Sequence, residues 1–260
     1  MDRITSSKNP KIQQVRALIN QHKERQQSSR FVIEGVRLTE EALASGWLPE
    51  LAFISPSLSE RGIKLARMLR EKNVEMDEVD DRLLTLLSDT KTPQGILAVL
   101  QHRDLPMPEE WDFLLVLDGL RDPGNLGTIL RSAAAAGVQA CLLTPGTTDP
   151  FAPKVVRSGM GAHFRLPIRT TGWDEIKRIA KSHSADILIA DSARGQVCWE
   201  ADLCRALILT IGGEAEGVQP AAYEAADGLI HIPMPGRGES LNASTAASIL
   251  LFEVVRQRSK

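Results

Sequence analysis

Phe113-Leu114-Leu115-Val116-Leu117-Asp118-Gly119-Leu120-Arg121-Asp122-Pro123-Gly124-Asn125-Leu126-Gly127-Thr128-Ile129-Leu130-Arg131 is the stretch that decides the fold. It opens on five consecutive apolar residues. A run without polar alternation suits a strand buried on both faces. Gly119, Pro123 and Gly124 then break the chain, and a helical pattern follows over 125–136, ending in four alanines after Ser132. Strand, punctuated loop and helix form the opening unit of a parallel α/β sheet. In such open sheets ligands bind beyond the carboxyl ends of the strands.

The same alternation continues toward the C terminus. It predicts strands over 140–143, 186–190, 206–211 and 229–232, and helices over 154–161, 174–182 and 241–258. A sheet that is mostly parallel and sandwiched between helices is expected. Toward the N terminus, Asn9 and Pro10 open a helix over 9–20 with Ile12, Val15, Leu18 and Ile19 at helical spacing. Strands over 31–33, 51–54, 74–76 and 95–100 alternate there with helices near 36–45, 60–72 and 80–87. The fold class is therefore α/β, with one domain over 1–101 and a second over 113–260. Between them 102–112, with Pro106, Pro108 and several charges, reads as a linker.

The 260 residues are 43% hydrophobic, close to the roughly 45–50% of globular proteins, so both domains can bury a core. No apolar run approaches the roughly 18 residues of a membrane span, and Met1-Asp2-Arg3-Ile4 does not open a secretory signal. Cys141, Cys198 and Cys204 lack zinc-ligand spacing and suit buried apolar roles in a reducing cytoplasm. His22, His102, His163, His183 and His231 are scattered, and no metal is expected. Net charge is −2, yet residues 1–37 hold Arg3, Lys8, Lys11, Arg16, Lys23, Arg25, Arg30 and Arg37 against Asp2, Glu24 and Glu34. A basic first segment on a near-neutral chain fits a local phosphate contact; it also fits a solvated helix face.

Two more loops resemble the first in placement. Ile211-Gly212-Gly213-Glu214-Ala215-Glu216-Gly217-Val218 follows an apolar strand, and its glycines allow close approach of a ligand to backbone. Ile232-Pro233-Met234-Pro235-Gly236-Arg237-Gly238-Glu239-Ser240-Leu241-Asn242-Ala243-Ser244 joins the last strand to the closing helix. Ser240 and Asn242 are also natural helix-start residues, which is the plainer reading of each. The closing helix ends on Arg256, Arg258 and Lys260, favourable to its dipole. Gly159-Met160-Gly161 and Gly236-Arg237-Gly238 are fragments of a dinucleotide fingerprint without its third glycine, so a dehydrogenase reading fails, and no Gly-Lys-Ser/Thr phosphate loop is present. Four tryptophans and one tyrosine make no platform for single-stranded RNA.

Taken in order, the three loops resemble the signature motifs of the SpoU/TrmH family of SPOUT RNA 2′-O-ribose methyltransferases. The likeness spans residues 113–258 and rests on Asp118 to Arg131, on Gly212-Gly213-Glu214, and on Ile232-Pro233-Met234 with Ser240-Leu241-Asn242-Ala243-Ser244. Ser6-Ser7-Lys8-Asn9-Pro10 and Phe31-Val32-Ile33-Glu34-Gly35 resemble that family's N-terminal α/β substrate-binding domain. The resemblance implies a C-terminal SPOUT domain with a trefoil knot, a rare exception to ordinary topology. It implies a homodimer with the active site at the subunit interface and S-adenosylmethionine as cofactor. It also implies RNA as substrate, ribosomal RNA more than transfer RNA. By the same likeness Arg131, Asn125, Glu214, Ser240 and Asn242 are the catalytic candidates. Gly212, Gly213, Ile232, Met234 and Leu241 are the cofactor-binding ones. Arginine stays protonated, so Arg131 is expected to grip the phosphate beside the target ribose rather than act as a base. Asn125 is expected to position Arg131 or the ribose, and Glu214 to hold the arginine or the loop. Glu216 is a second carboxylate beside Glu214, and Ala243 stands where the family often has valine. Two rivals remain: a SPOUT enzyme that methylates a base, and a non-catalytic RNA-binding or assembly factor on the same fold.

Overall fold

The computed structural model describes residues 3–88, 90, 93–214, 217–236 and 240–259. Met1, Asp2, Ala215, Glu216, Arg237, Gly238, Glu239 and Lys260, named above, lie outside the described residues. The first elements are β1 (Arg3–Ile4), α1 (Pro10–Asn20), α2 (His22–Ser28), β2 (Arg30–Glu34), α3 (Val36–Ala44) and β3 (Leu51–Ile54). Next come α4 (Glu60–Glu71), β4 (Glu75–Val79), α5 (Asp81–Leu87), β5 (Ile96–Gln101), β6 (Phe113–Asp118), α6 (Pro123–Ala135) and β7 (Ala140–Leu143). Then follow α7 (Pro153–Gly159), a 3-10 turn (Ala162–Phe164), β8 (Ile168–Thr170), α8 (Trp173–Ser182), β9 (Asp186–Asp191) and β10 (Gln196–Val197). The chain closes with β11 (Leu207–Gly212), α9 (Pro220–Ala225), β12 (Gly228–His231) and α10 (Ala243–Arg258).

Two compact units result: Met1–Arg103 with Phe151–Phe164, and Asp104–Pro150 with Arg165–Lys260. The first unit carries, among the described residues, a sheet of order β1-β4-β3-β5-β2. Strands β1, β4 and β3 are parallel, and β5 runs antiparallel to β3 and β2. The apolar face of α1 meets it through buried Ile12, Val15 and Leu18, with Phe53, Leu97 and Val99 in the same cluster. Strand β4 runs past the expected 74–76 because its charges are partnered. Asp77, 3% exposed, accepts from Lys11 Nζ at 2.5 Å, and Glu75 lies 2.6 Å from the same ammonium. Those carboxylates, Asp77 foremost, hold the Lys11 pKa above the ordinary lysine value.

Residues 151–164 join this unit from deep in the second half of the chain. Helix α7 packs on β2. The Phe151 ring sits 5.0 Å from Phe31, the Phe164 ring 5.5 Å from Trp47, and Trp47 Nε1 donates to the Phe164 carbonyl at 3.2 Å. Apolar residues in a turn-rich stretch name no partner sheet, so sequence patterning left them with their neighbours in the chain.

The second unit holds a wholly parallel sheet of order β10-β12-β9-β11-β6-β7-β8. Every residue of β6 is buried, as the unbroken apolar run requires. The stretch 102–112 is irregular, as a linker would be, but Trp111 is buried in this unit's core beside Trp173 and Ile187. Strands β8 and β10 and helix α9 are too short to carry a readable period, and none was expected. Helix α10 begins two residues later than 241 because Asn242 caps it, its Oδ1 accepting from Ser244 N at 2.9 Å. Helix α6 begins two residues earlier than 125, capped by Asp122 with Pro123 at the first position. The buried side of α10 packs on α6 through Ala247, Leu250 and Leu251, and Ser132 and Ser248 share a 2.8 Å hydrogen bond across the pair.

Register places the site. Gly212 pairs with Asp118 at the carboxyl ends of β11 and β6, and His231 pairs with Asp191 at those of β12 and β9. All four strands point the same way, so the loops after them share one edge.

Candidate active site

Asp118 ends β6 with no exposed surface, and donors surround its carboxylate. Thr144 Oγ1 donates to Oδ1 at 2.5 Å, Gln219 Nε2 at 3.1 Å and Trp173 Nε1 at 3.3 Å; the Gln219 amide donates to Oδ2 at 2.6 Å. A buried ionised group persists only when hydrogen bonds replace its lost water. These replace it, and they also fasten the ends of the first and second loops together. Gly119 follows with φ +68°, a conformation that costs other residues, and its amide donates to Thr147 Oγ1 at 3.1 Å.

The second loop is held as tightly. Gly213 N donates to the Asp118 carbonyl at 3.1 Å and to the Gly217 carbonyl at 3.0 Å, while Gly217 N donates back to Gly213 at 3.1 Å. A Cβ on Gly212 would fall 2.6 Å from Val218 N and 2.7 Å from the Gly217 carbonyl oxygen; one on Gly213 would fall 2.8 Å from the Gly119 carbonyl oxygen. Both positions admit glycine alone without movement.

The three loops meet in one hydrogen-bonded chain. Asn125 Nδ2 donates to Glu214 Oε1 at 2.6 Å, and Asn242 Nδ2 donates to Asn125 Oδ1 at 3.1 Å. Asn125 is thus committed at both ends of its amide, to Glu214 and Asn242 and not to Arg131. Asn242 also caps α10, so the plain capping role and the site role coincide in one side chain.

Beside this chain lies a cleft of about 670 Å³. Gly212, Gly213, Ile232, Met234 and Leu241 line it, and so do Glu214, Ser240 and Asn242. Arg131 does not. It is exposed on α6, on the stripe of Thr128 and Ala135, whereas Asn125 and Ser132 take the face toward α10. A spacing of six residues puts Asn125 and Arg131 on different faces.

Four polar lining residues were not singled out in the sequence: Asp191, Ser192, Arg194 and Tyr223. Asp191 ends β9 and Ser192 and Arg194 follow it, at a carboxyl end the parallel reading already directed to this edge. Patterning gave the strand but not its neighbours, and β9 lies between β11 and β12. Burial pushes the Asp191 carboxyl up, but bonds from the Arg194 side chain and the Ala193 and Arg194 amides outweigh it and hold the group below its ordinary value.

Among the described residues no group of three or more His, Cys, Asp or Glu side chains is placed to hold a metal ion, and no helix is long and apolar enough to cross a membrane. Cys141 and Cys198 are buried, and burial pushes both thiols up. Cys204 departs from the buried role expected of it: it is exposed, and its Sγ donates to the Gln257 carbonyl at 3.7 Å.

Residues 112–252 match the model of the SpoU rRNA Methylase family, and residues 9–98 match that of the MRM3-like substrate binding domain. The chain is 33% identical to the Bacillus subtilis 23S rRNA (guanosine(2553)-2′-O)-methyltransferase RlmP, covering 98% of this chain and 99% of RlmP. The crystal structure of the SpoU methyltransferase AviRb from Streptomyces viridochromogenes, in complex with the cofactor AdoMet, superposes with a TM-score of 0.84 at 31% identity, covering 96% of this chain and 99% of that one. An AdoMet-bound rRNA methyltransferase from Sinorhizobium meliloti gives 0.86 at 30% identity, over 98% and 97%.

Proposed function

Since the chain belongs to the SpoU rRNA methylase family, we propose that it transfers a methyl group from S-adenosylmethionine to a ribose 2′-hydroxyl of ribosomal RNA. The observation that carries this is the Asn242–Asn125–Glu214 chain along one lip of the cleft, built from all three loops. The cleft suits the cofactor. Its volume of about 670 Å³ lies inside the roughly 300–1000 Å³ of small-molecule sites. Backbone at Gly212, Ile232 and Leu241 offers donors and acceptors for an adenine, while Ile211, Met234 and Leu250 offer apolar wall. S-Adenosylmethionine supplies a methyl group on a sulfonium, ready for in-line attack by oxygen.

What remains for the protein is alignment and charge. A ribose hydroxyl is a weak nucleophile at neutral pH, so fixed geometry and a path for its proton matter most. Asn125, held at both ends, sets the distance between Glu214 and Asn242. Ser240 and Asn242 contact the nucleotide. Arg131, permanently charged, grips the phosphate beside the target ribose, and that phosphate or a water takes the proton. Because Arg131 points away from the cleft of its own chain, the partner's Arg131 completes the site in a homodimer. Phe252, 49% exposed on α10, supports a second copy on this face. The trefoil knot belongs to the same proposal, as the topology that returns α10 onto α6 after the third loop.

The first unit binds RNA in this reading. Half of the basic N-terminal residues are spent internally: Lys11 on Asp77 and Glu75, Arg30 on Glu50, Arg3 on Glu78, and Arg25 on the Leu18 carbonyl. Lys8, Arg16, Lys23 and Arg37 are exposed and make no ion pair among the described residues, which leaves them for phosphates. The same reading takes the protein to act in the cytoplasm. Purified protein incubated with tritiated S-adenosylmethionine and either ribosomal or transfer RNA tests the substrate. Label in ribosomal RNA is expected; label confined to transfer RNA would refute that assignment.

A further inference from the structure

The stretch of cleft wall at the carboxyl end of β9, between the second and third loops, holds a charge arrangement the mechanism above does not use. Arg194 is the one cationic side chain among the described lining residues, against two lining carboxylates, Asp191 and Glu214. Its guanidinium is held in place. Nε donates to Asp191 Oδ2 at 3.1 Å, and Nη2 donates to the same oxygen at 2.8 Å and to Tyr223 Oη at 2.8 Å. The guanidinium carbon lies 5.2 Å from the centre of the Tyr223 ring.

The clamp itself is anchored. Asp191 Oδ1 accepts from the Ala193 and Arg194 amides at 3.0 and 2.9 Å, and the Asp191 side chain is only 9% exposed. Gly195 turns the loop at φ +90°, pressed so close to Leu229 of β12 that a Cβ there would collide with the Leu229 carbonyl. A surface ion pair three residues apart would be mobile and worth little. Arg194 is exposed, but its guanidinium is held by Asp191 Oδ2, by the Tyr223 hydroxyl and beside the Tyr223 ring, and it lines the cavity. Nη1 makes no hydrogen bond among the described residues, so one edge of the planar fork stays open to a carboxylate.

The methyl donor of the proposed reaction carries three charges, and one is negative: the α-carboxylate of its methionyl part. A cleft with two carboxylates suits the sulfonium and the ammonium but repels that group unless a cation meets it. We propose that Arg194, fixed by Asp191 and Tyr223, binds the methionyl carboxylate of S-adenosylmethionine and so selects the intact amino-acid tail. This rests on the cofactor reading given above.

Calorimetric titration separates the two. S-adenosylhomocysteine keeps the tail; 5′-methylthioadenosine lacks it. Arg194→Gln should weaken S-adenosylhomocysteine by about 10- to 100-fold, the worth of a charge-assisted bond, and change 5′-methylthioadenosine less than twofold. Tyr223→Phe, which frees the guanidinium without removing it, should give a smaller loss with the same selectivity. Equal loss for both ligands, or none for S-adenosylhomocysteine, would overturn the assignment of Arg194. A wild-type protein that binds neither ligand would overturn the cofactor reading, and this proposal with it.

Discussion

Gly212→Ala places one methyl group where the second loop doubles back. The added Cβ would stand 2.6 Å from Val218 N and closer still to the Gly217 carbonyl carbon, so the Gly217–Val218 backbone must retreat by at least about 0.8 Å to restore the 3.4 Å of an ordinary contact. Overpacking of this kind costs roughly 1–3 kcal/mol. Retreat also stretches the two bonds of the Gly213–Gly217 bridge, each worth about 1 kcal/mol. A total of about 2–4 kcal/mol results, and where it is felt depends on the loop. A loop that relaxes when empty must be pushed back to admit cofactor, which lowers affinity by roughly 30- to 1000-fold. A loop that does not relax lowers the melting temperature by several degrees. Calorimetry with S-adenosylhomocysteine and thermal unfolding of the same sample read both routes. Gly172→Ala is the control, because nothing lies within 4 Å of its added Cβ. Wild-type affinity together with a wild-type melting temperature in Gly212→Ala would refute the claim that this glycine shapes the cleft.

Asn125→Asp keeps the shape but sets a second carboxylate against Glu214, so methyl transfer should fall by about 10- to 100-fold, measured with tritiated donor, with little change in melting temperature. Arg131→Ala should abolish transfer while cofactor affinity and stability stay within twofold and a degree, because the side chain is exposed and lines no cleft of its own chain; Arg131→Lys keeps charge but loses the fork and should also be severely impaired. Four phosphate contacts predict a slope of about −3 for log affinity against log salt in a filter-binding titration, and alanine at Lys8, Arg16, Lys23 or Arg37 should each reduce it by about 0.7–0.9. The lowered Asp191 pKa stabilises the fold above the unfolded carboxylate value near pH 4, and that share is lost as pH falls through the folded value. Asp191→Asn should therefore cost roughly 0.5–1 kcal/mol in urea unfolding at pH 7, Arg194 being exposed, and progressively less below about pH 4; a constant difference down to pH 2 would contradict the assignment.

Much of the site was legible because its physics is local. Glycine and proline after an apolar run mark a strand end, and that marked all three loops. What was not legible depends on partners distant in the chain. Strand β4 looked half too short because Asp77 is neutralised by a lysine 66 residues away. Phe151 and Phe164 read as part of the second half because nothing near them names the Phe31 and Trp47 rings they meet. Asp191 and Arg194 were passed over because strand order, not strand position in the chain, brings β9 beside β11 and β12. The outward facing of Arg131 was available from helical phase, six residues from Asn125, and the family likeness drew attention from it. The basic N-terminal segment shows the converse. Its charge count is correct, yet half of it is consumed by Asp77, Glu75, Glu50, Glu78 and a helix end.

The most direct test digests ribosomal RNA to nucleosides after incubation with purified protein and labelled S-adenosylmethionine, then identifies the labelled species by mass spectrometry. A methyl group on the ribose, formed about 10- to 100-fold more slowly in Asn125→Asp, is the result expected from a cleft shared by the three loops. A methyl group on a base, or an unlabelled RNA despite tight cofactor binding, would contradict it.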